Sequence, residues 1–152
     1  MKAITWLASF TVGVAALTAS AFATPLEGWS TDLAKALEKA KAEKKFVLVE
    51  FTGSDWCPPC IAMRKNVFSK KEFVDAAAKK FILVEIDFPN GDESLKKKNE
   101  PLAEKYKIEG FPTVVLLTPE GKEFNRFYAS EYPKTEDFLK HLNEVVEKKD
   151  LD

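Results

Sequence analysis

The stretch Phe46-Val47-Leu48-Val49-Glu50-Phe51, then Thr52-Gly53-Ser54-Asp55, then Trp56-Cys57-Pro58-Pro59-Cys60, decides the fold. Its first six residues are apolar and rich in strand formers, which predicts a strand buried on both faces. Gly53-Ser54-Asp55 breaks that strand. A helix is expected from the cysteine pair to about Asn66, with Pro58 in its first turn, where a missing N–H removes no intrahelical bond. Two thiols one helical turn apart are therefore predicted just beyond the end of a buried strand.

Working outward, Ser30 or Thr31 is read as the cap of a first helix with Asp32 in its first turn. Leu33, Ala36, Leu37 and Ala40 recur at helical spacing up to Lys44-Lys45. Ser69 is read as the start of another helix with Phe73, Ala76 and Ala77 inward, followed by a second apolar strand, Phe81–Ile86. Pro89-Asn90-Gly91-Asp92 signals a turn and opens a polar loop expected to reach Asn99, after which Pro101 suits the first turn of a short helix carrying Leu102, Ala103 and Tyr106. Gly110-Phe111-Pro112 is a break before the strand Thr113–Leu117, and Pro119–Lys122 turns it into a return strand, Glu123–Tyr128. Thr135 is read as the cap of a last helix with Phe138, Leu139, Leu142 and Val145 on one face. The order α-β-α-α-β-α-β-β-α predicts an α/β domain. Its first two strands are parallel because a crossover joins them, and its hairpin is antiparallel. The expected sheet is mixed, of four to five strands, with helices on both faces.

The chain of 152 residues fits one domain. Its 23 basic and 24 acidic residues leave a net charge of −1, so no overall field favours nucleic acid, and Lys96-Lys97-Lys98 reads as solvated surface. Residues 1–23 have the pattern of a secretory signal peptide. Lys2 is followed by an apolar stretch from Ala3 to Leu17, and Ala21-Phe22-Ala23 fits a cleavage site. An uncleaved anchor is the rival reading, which Thr5, Ser9, Thr11 and Gly13 dilute. Cleavage after Ala23 leaves residues 24–152 as the domain, exported to a periplasmic compartment that permits disulfides.

The chemistry rests on Cys57 and Cys60, the chain's two cysteines. A thiolate attacks a disulfide far faster than a thiol does, and a helix N-terminus stabilises the thiolate. Cys57 at that position is the candidate nucleophile, and Cys60, one turn on, can resolve a mixed disulfide. Pro58 and Pro59 remove two N–H donors that could face the Cys57 sulfur. A less stabilised thiolate makes the reduced form less stable, so the pair should be a weak oxidant. Competing readings are a purely structural disulfide, worth only roughly 2 kcal/mol for so short a loop, a metal site, and two cysteines without a role. A closed zinc site wants four ligands, whereas the chain offers two Cys and His141, placed on the surface of the last helix; no metal and no bound cofactor are expected. Glu50 is a carboxylate inside an apolar strand. Burial would raise its pKa and let it accept the Cys60 proton; equally, it could point to an edge or pair with a lysine. Trp56 and Phe111 could rim a peptide-docking surface or lie in the core.

At these residues the chain resembles the thioredoxin superfamily. The likeness is carried by Val47-Leu48-Val49-Glu50-Phe51, Trp56-Cys57-Pro58-Pro59-Cys60 and Gly110-Phe111-Pro112-Thr113, and spans about Trp29 to Val146. It is greatest to exported bacterial thioredoxin-like proteins, similar to the C-terminal domain of the thiol:disulfide interchange protein. The resemblance implies that Cys57 is the nucleophile, that Cys60 is the resolving thiol, and that Pro112 is a cis-proline facing the disulfide. The Phe111 backbone would pair with a substrate strand beside Trp56, Pro58 and Pro59, and Glu50 would hold the place of a buried acid. It departs from the pattern in having Glu in place of the usual Asp, one extra residue in Thr52–Asp55, a longer loop at Pro89–Asn99, and Leu83 where many relatives have lysine. The implied activity is thiol:disulfide exchange on exported proteins, of reducing or isomerising kind, by a monomer supplied with electrons by a membrane protein. The alternatives are a disulfide-donating oxidase and a non-catalytic binding module.

Overall fold

The computed structural model describes residues 24–151; the expected signal peptide and its cleavage site lie outside the described residues. The elements are α1 (Leu33–Glu43), β1 (Phe46–Thr52), α2 (Pro58–Met63, prolonged by a wide π-turn, Arg64–Phe68), α3 (Lys71–Ala77), β2 (Phe81–Asp87), α4 (Glu93–Lys105), β3 (Thr113–Leu117), β4 (Glu123–Tyr128), a 3₁₀ turn (Ala129–Glu131) and α5 (Thr135–Asp150). The four strands lie in the order β2-β1-β3-β4. β1 and β2 run parallel with Glu50 opposite Glu85, while β3 is antiparallel to both β1 and β4. Ser30 adds one bridge to β2 at Val84.

Side chains alternate across a strand, so the two faces of the sheet hold two cores. Leu48, Leu83, Val114 and Leu116 pack beneath α2, its π-turn, α3 and α5, against Met63, Val67, Phe68, Phe73, Phe138 and Leu142. Val47, Val49, Phe51, Val84, Ile86 and Val115 pack beneath α1 and α4, against Leu33, Ala36, Ala40 and Tyr106. The sheet is thus buried on both sides, which is why β1 and β2 read as apolar runs interrupted within by Glu50 and Glu85 alone. The expected mixed sheet with helices on both faces is what the chain forms.

Four helix boundaries differ from the sequence reading. Asp32 caps α1 itself, its Oδ1 accepting from the Lys35 N–H at 3.1 Å, because Ser30 is committed to the bridge with β2. α3 begins at Lys71, because Ser69 closes the preceding π-turn instead. Thr135 is the first residue of α5 and its hydroxyl donates to the Asn66 carbonyl, so it ties α5 to the π-turn and does not cap the helix. The expected polar loop at Pro89–Asn99 is mostly helix. Asp92 caps α4 through the Leu95 N–H at 3.0 Å, and Pro101 lies inside that helix with its ring exposed. The buried Asn99 secures this helix by donating to the Asp87 carbonyl at 2.8 Å. His141 is half-buried, not on the open surface: its ring stacks on Tyr132 at 4.1 Å.

Candidate active site

The end of β1 and the start of β3 are neighbours, since Phe51 pairs with Thr113. The segment Gly53–Cys60 after β1 and the segment Gly110–Pro112 before β3 therefore meet at one end of the two central strands. Cys57 is the N-cap of α2, with Pro58 and Pro59 filling its first two positions. Its N–H donates to the Gly53 carbonyl at 3.0 Å and its carbonyl accepts from Ile61 at 3.0 Å, which fixes the turn from strand to helix. Among the first three helical residues only Cys60 carries an N–H. Cys57 and Cys60 form a disulfide with Cα atoms 5.2 Å apart. Both are buried, Cys60 fully, and the Gly53 N–H points at the Cys60 sulfur at 3.5 Å. Pro58 and Pro59 are exposed beside them.

The Phe111–Pro112 peptide is cis. Thr113 Oγ1 donates to the Gly110 carbonyl at 2.6 Å, and the Pro112 carbonyl accepts from Ala129 at 3.0 Å. Ala129 opens the 3₁₀ turn that packs on α2, so the proline loop and the cysteine helix are braced through a common neighbour. Trp56 is 43% exposed, and its ring meets Phe111 edge-on at 5.8 Å. Phe111 in turn touches Phe88 at 5.3 Å. The Trp56 Nε1 donates to the Phe88 carbonyl at 2.7 Å, holding the indole at the rim of a groove of about 340 Å³ between this aromatic set and α4. Ile61 and Tyr128 are the other large apolar side chains exposed near this end.

Glu50 is 1% exposed, and neither carboxylate oxygen has a hydrogen-bond partner. The edge and lysine-paired alternatives are thereby excluded. It shares a sheet face with Leu48, in the layer covered by α2, whose inward residues are Cys60 and Met63. Burial pushes its pKa well above the usual carboxylate range, and the negative charge of Glu85 adds to the effect. Leu83 is plain core.

Reading the sequence did not single out Glu85, Asp87 or Arg64. Arg64 Nη1 donates to Glu85 Oε2 at 2.7 Å, and its Nη2 donates to the Thr24 carbonyl. The Asp87 carboxylate accepts from the Ser54 N–H at 2.9 Å and from the Ser54 hydroxyl. The available signal was Glu85 itself, a second acid in an apolar strand that a parallel pairing would bring beside Glu50.

A family model described as thioredoxin-like matches residues 28–119. The chain belongs to the thioredoxin-like family. It is 40% identical over 96 residues to the disulfide bond reductase DsbH of Chlamydia pneumoniae, a match covering 61% of this chain and 58% of that protein. It is 33% identical over 92 residues to the thiol:disulfide interchange protein DsbD 2 of Pseudomonas aeruginosa, covering 60% of this chain and 15% of that protein. It therefore spans less than two thirds of either curated relative. A solved structure of a DsbH oxidoreductase superposes with a TM-score of 0.60 at 35% identity, covering 77% of this chain and 86% of that one.

Proposed function

We propose that this thioredoxin-like chain is an exported thiol:disulfide oxidoreductase that reduces or exchanges disulfides in other exported proteins. The observation that carries the reading is the Cys57–Cys60 pair at the start of α2, at the same end of the central strands as the cis Phe111–Pro112 peptide. The kinship to a disulfide bond reductase and to a thiol:disulfide interchange protein supports it.

In the reduced protein the Cys57 thiolate, at the head of α2, attacks a substrate disulfide. One substrate thiolate leaves and a mixed disulfide forms. Phe111 and Trp56 hold the substrate backbone and its flanking side chains, and Pro112 keeps that loop against the sulfurs. Glu50 takes the proton of Cys60, and the Cys60 thiolate then attacks the Cys57 sulfur. The second substrate thiolate departs, and the pair is left as the disulfide. Two electrons have passed to the substrate. A dithiol donor returns them, and for an exported protein that donor is a membrane protein. Pro58 and Pro59 leave the Cys57 thiolate with little N–H stabilisation, which places the pair on the reducing side. The proposed working form is a monomer of residues 24–152, freed by cleavage after Ala23.

Insulin reduction with dithiothreitol tests the activity. Turnover that Cys57→Ser abolishes is the expected result. Wild-type protein no faster than that variant would identify a non-catalytic binding module. The reduction potential, measured in a dithiothreitol redox buffer, tests the direction. A value around −270 mV fits a reductant, and one around −120 mV marks a disulfide donor and overturns the argument from the two prolines.

A further inference from the structure

Three carboxylates lie on the sheet face beneath α2: Glu50 on β1, and Glu85 and Asp87 on β2. Glu50 and Glu85 are opposite one another in the parallel register, so their backbones are about one strand spacing, roughly 4.8 Å, apart. Both side chains leave the sheet on the side of Leu48 and Leu83. Two of the three acids are partnered, Glu85 by Arg64 and Asp87 by Ser54. Glu50, the most deeply buried, is not. Arg64 lies four residues after Cys60, about one helical turn, so the two share the helix face that covers this layer, and Arg64 reaches Glu85 at 2.7 Å. Thr52 on β1 and Val114 on β3 complete the surroundings and bring no charge.

We propose that the Arg64–Glu85 ion pair is a positioning device for Glu50: it fixes a negative charge beside the buried acid and so sets the pH at which that acid can take the proton of Cys60. The proposal rests on the reading of Glu50 as the proton acceptor. The guanidinium of Arg64 bonds to Glu85 and leaves Glu50 without a partner. Burial raises both acids, but the one in contact with the guanidinium ionises first and the other gives up its proton only at higher pH, because two anions side by side in a dry layer repel. The charge of Glu85 raises the proton affinity of Glu50, and that of Arg64 lowers it.

The two charges therefore predict opposite responses. Removing the charge of Glu85 lowers the proton affinity of Glu50, and removing that of Arg64 raises it. A variant that merely loosened the layer would hydrate Glu50 and lower its affinity in both cases. The experiment is a carbon-13 titration of the Glu50 carboxyl in the reduced protein, assigned with Glu50→Gln, together with rapid-quench measurement of mixed-disulfide resolution against pH. Glu85→Gln is expected to move the Glu50 midpoint down by about one pH unit, a tenfold change in proton affinity, and the resolution profile with it. Arg64→Gln is expected to move both up, and Arg64→Lys to leave both in place. An unmoved midpoint in Glu85→Gln, or a fall in both neutral variants, overturns the role of the ion pair. A midpoint that moves while the resolution profile stays put overturns the link to Cys60, and with it the reading of Glu50. If Arg64→Gln does not fold, Glu85→Asp, which keeps the charge, takes its place: an unmoved midpoint there beside the fall in Glu85→Gln supports the ion pair, and a fall in both overturns it.

Discussion

Replacing Glu50 with Gln should make the protein progressively more stable than wild type as the pH rises. Glu50 is buried without a hydrogen-bond partner, and burial together with the Glu85 charge raises its pKa in the folded state. In the unfolded chain it returns to about 4.3. A raised folded-state value means that the stability contributed by the protonated group is fully present below the unfolded pKa. That stability is lost as pH rises toward the folded pKa, because the unfolded state can shed the proton and the folded state cannot. One group holds one proton, so the loss proceeds at up to about 1.4 kcal/mol per pH unit above about pH 4.3 and levels off at the folded midpoint. The glutamine introduced by Glu50→Gln has nearly the same volume and does not titrate. Its buried amide adds an offset that is the same at every pH. Glu85 also has a raised value, from burial opposed by Arg64, but it cancels in the difference below the Glu50 midpoint, where Glu50 is as neutral as the glutamine. Urea unfolding of the oxidised proteins from about pH 4 to 8, a window spanning the unfolded carboxylate value, followed by tryptophan fluorescence, measures the gap. A gap that grows with pH is expected. Parallel stability curves, or a gap that narrows with pH, would show that Glu50 is ionised in the fold and would refute the reasoning.

Three further outcomes are expected. A Cβ at Gly53 would lie 2.5 Å from the Trp56 indole, so Gly53→Ala should displace the ring and break its bond to the Phe88 carbonyl, seen as a shifted fluorescence maximum and weaker insulin turnover. Phe138 is fully buried against Phe68, Phe73 and Phe127 at 5.3 to 5.4 Å, so Phe138→Ala should cost about 3–5 kcal/mol in urea unfolding. Expression of the full chain in a bacterium with a periplasm should give a product whose intact mass begins at Thr24; a mass that includes Met1 would favour the uncleaved anchor.

The sheet was legible in the sequence because burial on both faces leaves unbroken apolar runs such as Val47–Val49 and Val114–Leu117. The cysteine turn was legible because Gly53 interrupts the apolar run and Pro58 suits a helix's first turn. The second half of α4 was expected, but its first half was read as loop because much of what holds it is tertiary. Asn99 reaches back to β2, and Pro101 is tolerated inside the helix at an exposed position, whereas local propensity reads it as a start. The acid cluster was half seen. Glu50 stands out within β1, but Glu85 gains its meaning only from the parallel register, and Arg64 only from the face of α2 on which it lies.

The strand-to-helix turn carrying the cysteines is sewn to the turn between β2 and α4. Ser54 bonds to Asp87, Asp55 accepts from the Asn90 and Gly91 amides at 2.9 and 2.8 Å, Phe88 N–H reaches the Thr52 carbonyl at 2.9 Å, and Trp56 bonds to Phe88. Segments more than thirty residues apart in the chain thus act as one plate. A plate cannot yield at one corner alone. A force on the head of α4 bears mechanically on the tryptophan beside Cys57, and a tilt of this tryptophan is felt at the head of α4. Under the proposed function, substrate recognition would depend on the stiffness of this shared frame as well as on the groups that touch the substrate.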